Sequence, residues 1–195
     1  MSSEGTSEPT SRGSELPTGN TGQARKAFED MIADDPTNRV AWEGLRRLPE
    51  NPIKGVRVAN FSSESSSIFS GKAADLVDGN PATGWNSSNG SFPQSFVFEL
   101  PVDFEIAELS FNNVSRDAPN QASKDIEISV SADSATAGFV VVAKTALAQG
   151  EIGQGIRLKP AARGRWIKLR VLSNDGNPDY TQLGDVQIVG KPLSR

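Results

Sequence analysis

The hydrophobic pattern along the chain changes its period near residue 50. Before that point apolar residues recur every three or four positions, as in "ARKAFEDMI". After it they alternate with polar residues, as in "DIEISVS". The first pattern is typical of an amphipathic helix and the second of a half-buried β-strand. The sequence therefore predicts a short helical region followed by a domain of β-strands.

The helical region is predicted to be a hairpin over residues 22–50. "DDPTN" interrupts the helical period, and Thr37 or Asn38 is the predicted N-cap of a second helix. The stretch resembles part of a tetratricopeptide repeat, in which an "A..AF" helix meets "DP.N..AW..L", but no second copy follows. We therefore interpret it as a helical hairpin. Residues 1–21, rich in Ser, Thr, Gly, Glu and Pro, are predicted to be a disordered tail.

The region 53–192 is predicted to be an all-β domain. Its short alternating segments are separated by Gly, Pro, Asn and Asp, which is typical of an antiparallel β-sandwich. In "AELSF", for example, the alternation places Ala107, Leu109 and Phe111 on one face. No strand alternates with a long helix, which argues against a doubly wound α/β fold.

A polar loop at 77–94 precedes the clearest strand, "SFVFEL", and carries Trp85. Its "DGNPAT" turn is predicted to aim carbonyl groups inward, and the Asp78 and Asp185 carboxylates meet if the first and last strands are neighbours. Carboxylates and carbonyls are the oxygen ligands that Ca²⁺ prefers. The alternative is an Asx-turn in which Asp78 bonds only backbone N–H groups. Trp85 is expected to anchor the core, although a sugar-stacking role stays open.

Five segments, taken together, resemble a known family. They are "AADLVDGNPATGW", "PQSFVFELP", "IEISVSADS", "RGRWIKLRVLSN" and "LGDVQIVG", and in order and spacing they resemble the discoidin or coagulation-factor C-type domains, which are galactose-binding-like β-sandwiches. The resemblance implies an eight-stranded antiparallel jelly roll without catalysis. It also implies a Ca²⁺ ion held by Asp78, Asn80, Thr83 and Asp185. Asp185 departs from the family, which usually has the longer Glu there.

The predicted ligand surface lies on loops at one end of the sandwich. Amide, carboxylate and guanidinium groups beside an aromatic ring suit an array of sugar hydroxyls, although such loops are also simply soluble. The candidate ligand-binding residues are Glu64, Asn86, Asn89, Arg116, Asn120, Asn174, Asp179 and Tyr180. Large apolar side chains that could enter a membrane are few in these loops (Ile68, Phe69 and Phe92), so membrane insertion is not expected.

Charge and residue chemistry exclude several other functions. The formal net charge is −4, which gives no electrostatic reason to expect nucleic acid as a partner. Six basic side chains lie between residues 157 and 170, and we interpret them as a solvated strand face, with a phosphate-binding stripe as the alternative: Arg157, Lys159, Arg163, Arg165, Lys168 and Arg170. Cys and His are absent, which removes the usual catalytic triads. An enzyme is therefore not expected.

Two functions remain open at this stage. The first is a non-catalytic module that recognises carbohydrate on a Ca²⁺-stabilised β-sandwich, and the second is a protein–protein interaction adaptor on the same fold. The N-terminus has no basic flank followed by an apolar segment, so no signal peptide is predicted. The location stays open: exported or cell-surface if the chain is a trimmed form of a longer protein, and otherwise cytoplasmic.

Overall fold

A computed structural model describes residues 18–48, 50–67, 71–115 and 118–193. The chain divides into two compact units, with the boundary between Leu48 and Pro49. The first unit contains helices α1 (Thr18–Asp34) and α2 (Arg39–Arg47). Because α1 begins at Thr18, residues 18–21 of the predicted disordered tail are helical, and the rest of that tail lies outside the described residues.

The two helices form the predicted hairpin. Asn38 is the N-cap of α2, since its Oδ1 accepts a hydrogen bond from the Ala41 amide at 3.0 Å. Gly44 lies so close to the Phe28 ring that a Cβ atom there would come within 2.3 Å of it. The hairpin is thus held by a capped turn and a close helix contact. Its resemblance to a tetratricopeptide repeat stays a prediction.

The second unit is mostly β-structure. Among the described residues it contains nine strands: β1 (Asn51–Pro52), β2 (Arg57–Phe61), β3 (Gly84–Asn86), β4 (Gln94–Phe111), β5 (Asp125–Ser131), β6 (Val140–Ala146), β7 (Gln154–Val171), β8 (Gln182–Gly184) and β9 (Val186–Pro192). The pairings are antiparallel. The count of nine is one strand more than the eight that the resemblance implies.

Two long strands, β4 and β7, run through both layers of the sandwich. The first half of β4 pairs with β2 and with the second half of β7, which also pairs with β5. After a register break between Glu99 and Phe104, the second half of β4 pairs with β9 and with the first half of β7. The first layer is therefore β2–β4–β7–β5–β6, and the second is β1–β9–β4–β7.

The core lies between these layers and follows the alternation of the strands. Phe96, Phe98 and Leu169, for example, are fully buried. In the second half of β4 a register shift between Ile106 and Glu108 changes which face points inward. Ile106, Leu109 and Phe111 therefore share the core cluster, whereas Ala107, which the alternation predicts in that set, is buried at 5% exposed but lies outside the cluster. The bulge inserts one residue, and this shifts the period by one.

Candidate functional site

Trp85 fixes the polar loop to the core. The side chain is fully buried, and its ring meets the Phe96 ring edge to face with centroids 4.8 Å apart. Its indole N–H donates a hydrogen bond of 2.7 Å to the Ser63 carbonyl. The predicted core role is confirmed, and the sugar-stacking alternative is wrong because no face of the ring reaches solvent.

The loop before Trp85 is a tight turn around Asp78. Ala73–Val77 forms a 3-10 helix that ends at Asp78, and Gly79 then adopts a positive φ of 75°, which favours glycine. The Asp78 carboxylate accepts a hydrogen bond of 2.8 Å from the Asn80 amide. This contact is the backbone bond of an Asx-turn, but Asp78 does not bond backbone N–H groups alone, because the Thr83 hydroxyl also contacts its carboxylate.

Thr83 places one hydroxyl among three acceptor oxygens. Its Oγ1 lies 2.9 and 2.8 Å from the two Asp78 carboxylate oxygens and 2.8 Å from the Asn80 carbonyl oxygen. A hydroxyl carries one hydrogen, so it cannot donate a full hydrogen bond to all three. The Asn80 carbonyl already accepts from the Thr83 amide at 3.0 Å, and Asp78 Oδ1 accepts from the Asn80 amide, so the hydroxyl hydrogen is available to Asp78 Oδ2.

Asp185 approaches this turn from the junction of β8 and β9. It is 1% exposed, and its Oδ1 accepts a hydrogen bond of 3.2 Å from the Gly79 amide. Its Oδ2 is buried without a hydrogen-bond partner. Burial raises the pKa of the Asp185 carboxyl and the nearby Asp78 charge adds to the rise, whereas the Gly79 amide, the Gln187 side chain and the Lys54 charge oppose it. The expected meeting of the Asp78 turn with Asp185 is confirmed.

These residues are suited to a hard cation, since the donors are carboxylate, carbonyl and hydroxyl oxygens. An ion beside Asp185 Oδ2 would contact this buried atom directly, in addition to the Lys54 charge that already acts on the carboxylate. The site has two carboxylates, and within the described residues no cluster of three or more acidic side chains forms a metal centre. The remaining ligands of an ion would have to be neutral oxygens.

The loops predicted to carry the ligand surface meet at one end of the sandwich. Ser87 and Thr181 exchange hydrogen bonds, with Ser87 N–H to the Thr181 carbonyl and Thr181 N–H to Ser87 Oγ, both 2.9 Å. The Ser65 amide donates a hydrogen bond of 2.9 Å to the Asn86 carbonyl. The Asn177 side chain donates one of 3.2 Å to Asn120 Oδ1 in the 118–123 loop. The loops around 62–67, 86–94, 118–123 and 172–182 thus form one connected surface.

Asn174 organises the longest of these loops from within. Its Nδ2 lies within hydrogen-bond distance of the Asn177 and Tyr180 carbonyl oxygens and of Thr181 Oγ1, which share its two hydrogens, and its Oδ1 accepts from the Gly176 and Asn177 amides. These contacts occupy both ends of the side-chain amide. Asn174 therefore shapes the loop, and its predicted contact with ligand would compete with these bonds.

Asn177, which the sequence analysis did not single out, holds the tip of the same loop. Its Oδ1 accepts hydrogen bonds from the Asp179 and Tyr180 amides at 3.0 and 2.9 Å. Its Nδ2 donates to Asn120 Oδ1 at 3.2 Å. An Asn directly before Pro178 is a recognisable turn signal. As a result Asp179 is exposed and the Tyr180 side chain is 48% exposed, on a backbone tied at several points.

The other predicted ligand residues have mixed environments. Glu64 accepts a hydrogen bond of 2.9 Å from the Ala73 amide and so supports the 3-10 helix. Asn86 lies in β3, and Asn89 accepts from the Ser91 amide at 2.9 Å in an exposed loop. Phe92 is 37% exposed in that same loop. Arg116, Ile68 and Phe69 lie outside the described residues.

The architecture so far is that of a β-sandwich with a closed core, a cation-suited turn and a cluster of polar loops. The F5/8 type C domain family model matches residues 59–184, and the chain belongs to this family. The predicted discoidin-like resemblance is thereby confirmed for the β-domain. None of the curated proteins matches the chain.

Solved structures share the fold at low sequence identity. A putative chitobiase fragment from Bacteroides thetaiotaomicron is 20% identical, with a TM-score of 0.66 over 76% of this chain and 96% of that one. The family 32 carbohydrate-binding module of Clostridium perfringens NanJ, solved with galactose, is 16% identical, with a TM-score of 0.61 over 72% and 99%. CpGH89CBM32-5 from the same organism, solved with GalNAc-β-1,3-galactose, is 20% identical, with a TM-score of 0.60 over 72% and 99%.

Within the part of the chain that the structure describes, no helix has the length and apolar character needed to cross a membrane.

Proposed function

We propose that this protein is a non-catalytic carbohydrate-binding module that recognises a sugar through the loop end of its β-sandwich. The family and the sugar complexes of structural neighbours support this proposal. The observation that carries it is the Asp179–Tyr180 tip, which Asn174 and Asn177 hold in place. A loop that is fixed before binding loses less conformational entropy when a ligand arrives.

Tyr180 supplies the flat apolar surface that a sugar ring requires, and its hydroxyl can still exchange hydrogen bonds. Gly90 lies against the Pro178 carbonyl, so the loop that carries Phe92 runs beside the loop that carries Tyr180. The Asn89 side chain and the Asp179 carboxylate provide directional polar groups nearby. We propose these residues as the first contacts with the sugar, with galactose-terminated glycans as the first candidates.

Replacing Tyr180 with Ala is expected to weaken glycan binding by about tenfold or more, because truncating an aromatic hot-spot residue costs about 1.4 kcal/mol or more. Isothermal titration with the best ligand from a glycan array would measure the loss. Tyr180→Phe is the matched control, since it keeps the ring. Both variants should have the melting temperature of the wild-type protein, because the Tyr180 side chain lies at the surface. Unchanged affinity of Tyr180→Ala would contradict the proposed site.

We also propose that Ca²⁺ binds at the turn formed by Asp78, Asn80 and Thr83, together with Asp185, and stabilises the loop end. The oxygen-rich surroundings of Thr83 and the unpartnered Asp185 Oδ2 support this. The role would be structural. The ion would neutralise two neighbouring carboxylates and tie the Asp78 turn to the β8–β9 junction.

A protein-interaction adaptor is the second candidate. The separate helical unit favours it, since Val40 on α2 is 71% exposed. An array on which no glycan is bound, with or without Ca²⁺, would favour the adaptor over the carbohydrate-binding module.

A further inference from the structure

The outer face of the first layer carries an excess of positive charge. Leu169 and Ile128 point into the core, so alternation turns Lys168, Arg170 and Glu127 outward. We use the term cationic face for the outward set of five basic and two acidic side chains: Arg57, Glu99, Glu127, Lys144, Arg165, Lys168 and Arg170.

At one end of the cationic face, two arginines share one carboxylate. Arg57 and Arg165 contact the two oxygens of Glu99, at 2.5 and 2.8 Å. The Glu99 side chain is 13% exposed, whereas Arg57 is 71% exposed. One negative charge neutralises one guanidinium, so this group keeps a net charge of about +1.

At the other end a second group repeats this arrangement. Glu127 accepts hydrogen bonds from Lys144 at 2.8 Å and from Arg170 at 2.9 Å. The hydrogen bond from Lys144 first, and then that from Arg170, hold the pKa of the Glu127 carboxyl below its usual value. The carboxylate is therefore ionised at neutral pH, and two cations share it. This group also keeps a net charge of about +1.

Lys168 lies between the two groups. Its cross-strand neighbours are Val97 and Ser129, which carry no charge, and its ammonium lies 4.0 Å from the centre of the Phe139 ring. The Glu99 group lies beside position 166, Lys168 comes next and the Glu127 group lies beside position 170, and these positions follow one another along β7 about 7 Å apart. Three net positive charges are thus arranged in a line, on a protein with a net charge of −4. Asp125 follows beyond Glu127 and ends the line.

We propose that the cationic face binds a linear acidic polysaccharide, independently of the sugar site at the loop end. A polymer with a repeating carboxylate or sulfate matches a line of charges on a flat sheet. Guanidinium groups bind such anions through bidentate hydrogen bonds. Single-stranded nucleic acid needs open aromatic rings for base stacking. Here Trp166 lies against the Arg165 guanidinium and Phe139 against Lys168. An acidic polysaccharide therefore fits better than a nucleic acid.

Affinity electrophoresis of the full chain in gels containing polygalacturonate tests this proposal. Lys168→Gln is expected to weaken binding about fivefold, which corresponds to about 1 kcal/mol for one cation beside an anionic surface. Lys144→Gln, on a side chain that is 65% exposed, is a second variant with the same expected direction. Arg163→Gln is the matched control, because Arg163 pairs with Glu105 in the second layer and carries the same charge. Its binding should equal that of the wild-type protein.

Methyl-esterified polygalacturonate provides the ligand control, since the polymer is the same but its charge is removed. The proposal predicts no retardation by the ester and a loss of binding as salt is raised. Equal binding of the ester, or equal losses for Lys168→Gln and Arg163→Gln, would overturn it. Tyr180→Ala should keep polygalacturonate binding even where it loses glycan binding. A loss of both would place the polymer at the loop end and overturn the cationic face as the site.

Discussion

Replacing Trp85 with Ala is expected to lower the free energy of unfolding of the β-sandwich by about 3–5 kcal/mol, the usual cost of truncating a buried Trp. The ring is fully buried and packs against Phe96, so its removal leaves a cavity under the polar loop. It also leaves the Ser63 carbonyl without its indole donor. A domain of this size is stable by only about 5–15 kcal/mol, so the loss is large.

Urea unfolding of the full chain, followed by circular dichroism in the β-sheet region, measures this effect. Trp85→Phe should cost less than Trp85→Ala, because it keeps an aromatic ring and loses the hydrogen bond to Ser63. Trp166→Phe is the control, because Trp166 is only partly buried on the outer face and a surface change should stay within about 0.5 kcal/mol. Equal stability of Trp85→Ala and Trp166→Phe would show that Trp85 does not anchor the loop.

The sequence was sufficient to predict the fold class and most of the core, because period-two alternation reports directly which face of a strand is buried. At the bulge at 106–108 of β4 it missed Ile106 as a core residue and named Ala107, which is buried but lies outside the core cluster. A bulge depends on how neighbouring strands pair, and the local pattern of "AELSF" contains no sign of that pairing. The continuity of β4 and β7 through both layers is likewise a property of long-range pairing.

The candidate sites were predictable in part. Local residue types mark the "DGNPAT" turn, so Asp78, Asn80 and Thr83 could be predicted to lie together, as their hydrogen bonds show. That they bind an ion stays a prediction. The roles of Asn174 and Asn177 were not accessible, since each depends on which backbone groups the loop brings within reach. The pairing of the basic residues on β7 with Glu99 and Glu127 depends on strand register for the same reason.

Asp185 links the proposed calcium site to the stability of the protein, because ionisation of its carboxyl affects both. Burial raises the pKa of its carboxyl above the unfolded value, so ionisation of Asp185 disfavours the folded state. Without Ca²⁺, its contribution to stability is therefore best at low pH and is lost as the pH rises through the folded-state pKa. A bound cation would reverse this, because it interacts with the ionised form.

Asp185→Asn is expected to abolish stabilisation by Ca²⁺ without destabilising the calcium-free protein at pH 7. The amide keeps an oxygen for the Gly79 N–H and removes the buried charge, so the calcium-free variant should melt at or above the wild-type temperature. In wild-type protein, Ca²⁺ at 100 times its dissociation constant should add about 2.7 kcal/mol. Thermal unfolding of the full chain in chelator and in Ca²⁺ measures both effects.

Asp103→Asn is the matched control, because Asp103 is an exposed carboxylate in the bend of β4. The substitution removes the same charge as Asp185→Asn. It should keep the full calcium response. In wild-type protein that response should shrink as the pH falls through the pKa of Asp185, because the protonated carboxyl is a poor calcium ligand. A full calcium response in Asp185→Asn would exclude Asp185 as a ligand, and a wild-type melting temperature indifferent to Ca²⁺ and chelator would exclude the site itself. The buried Oδ2 would then have to be satisfied by the proton that its raised pKa favours.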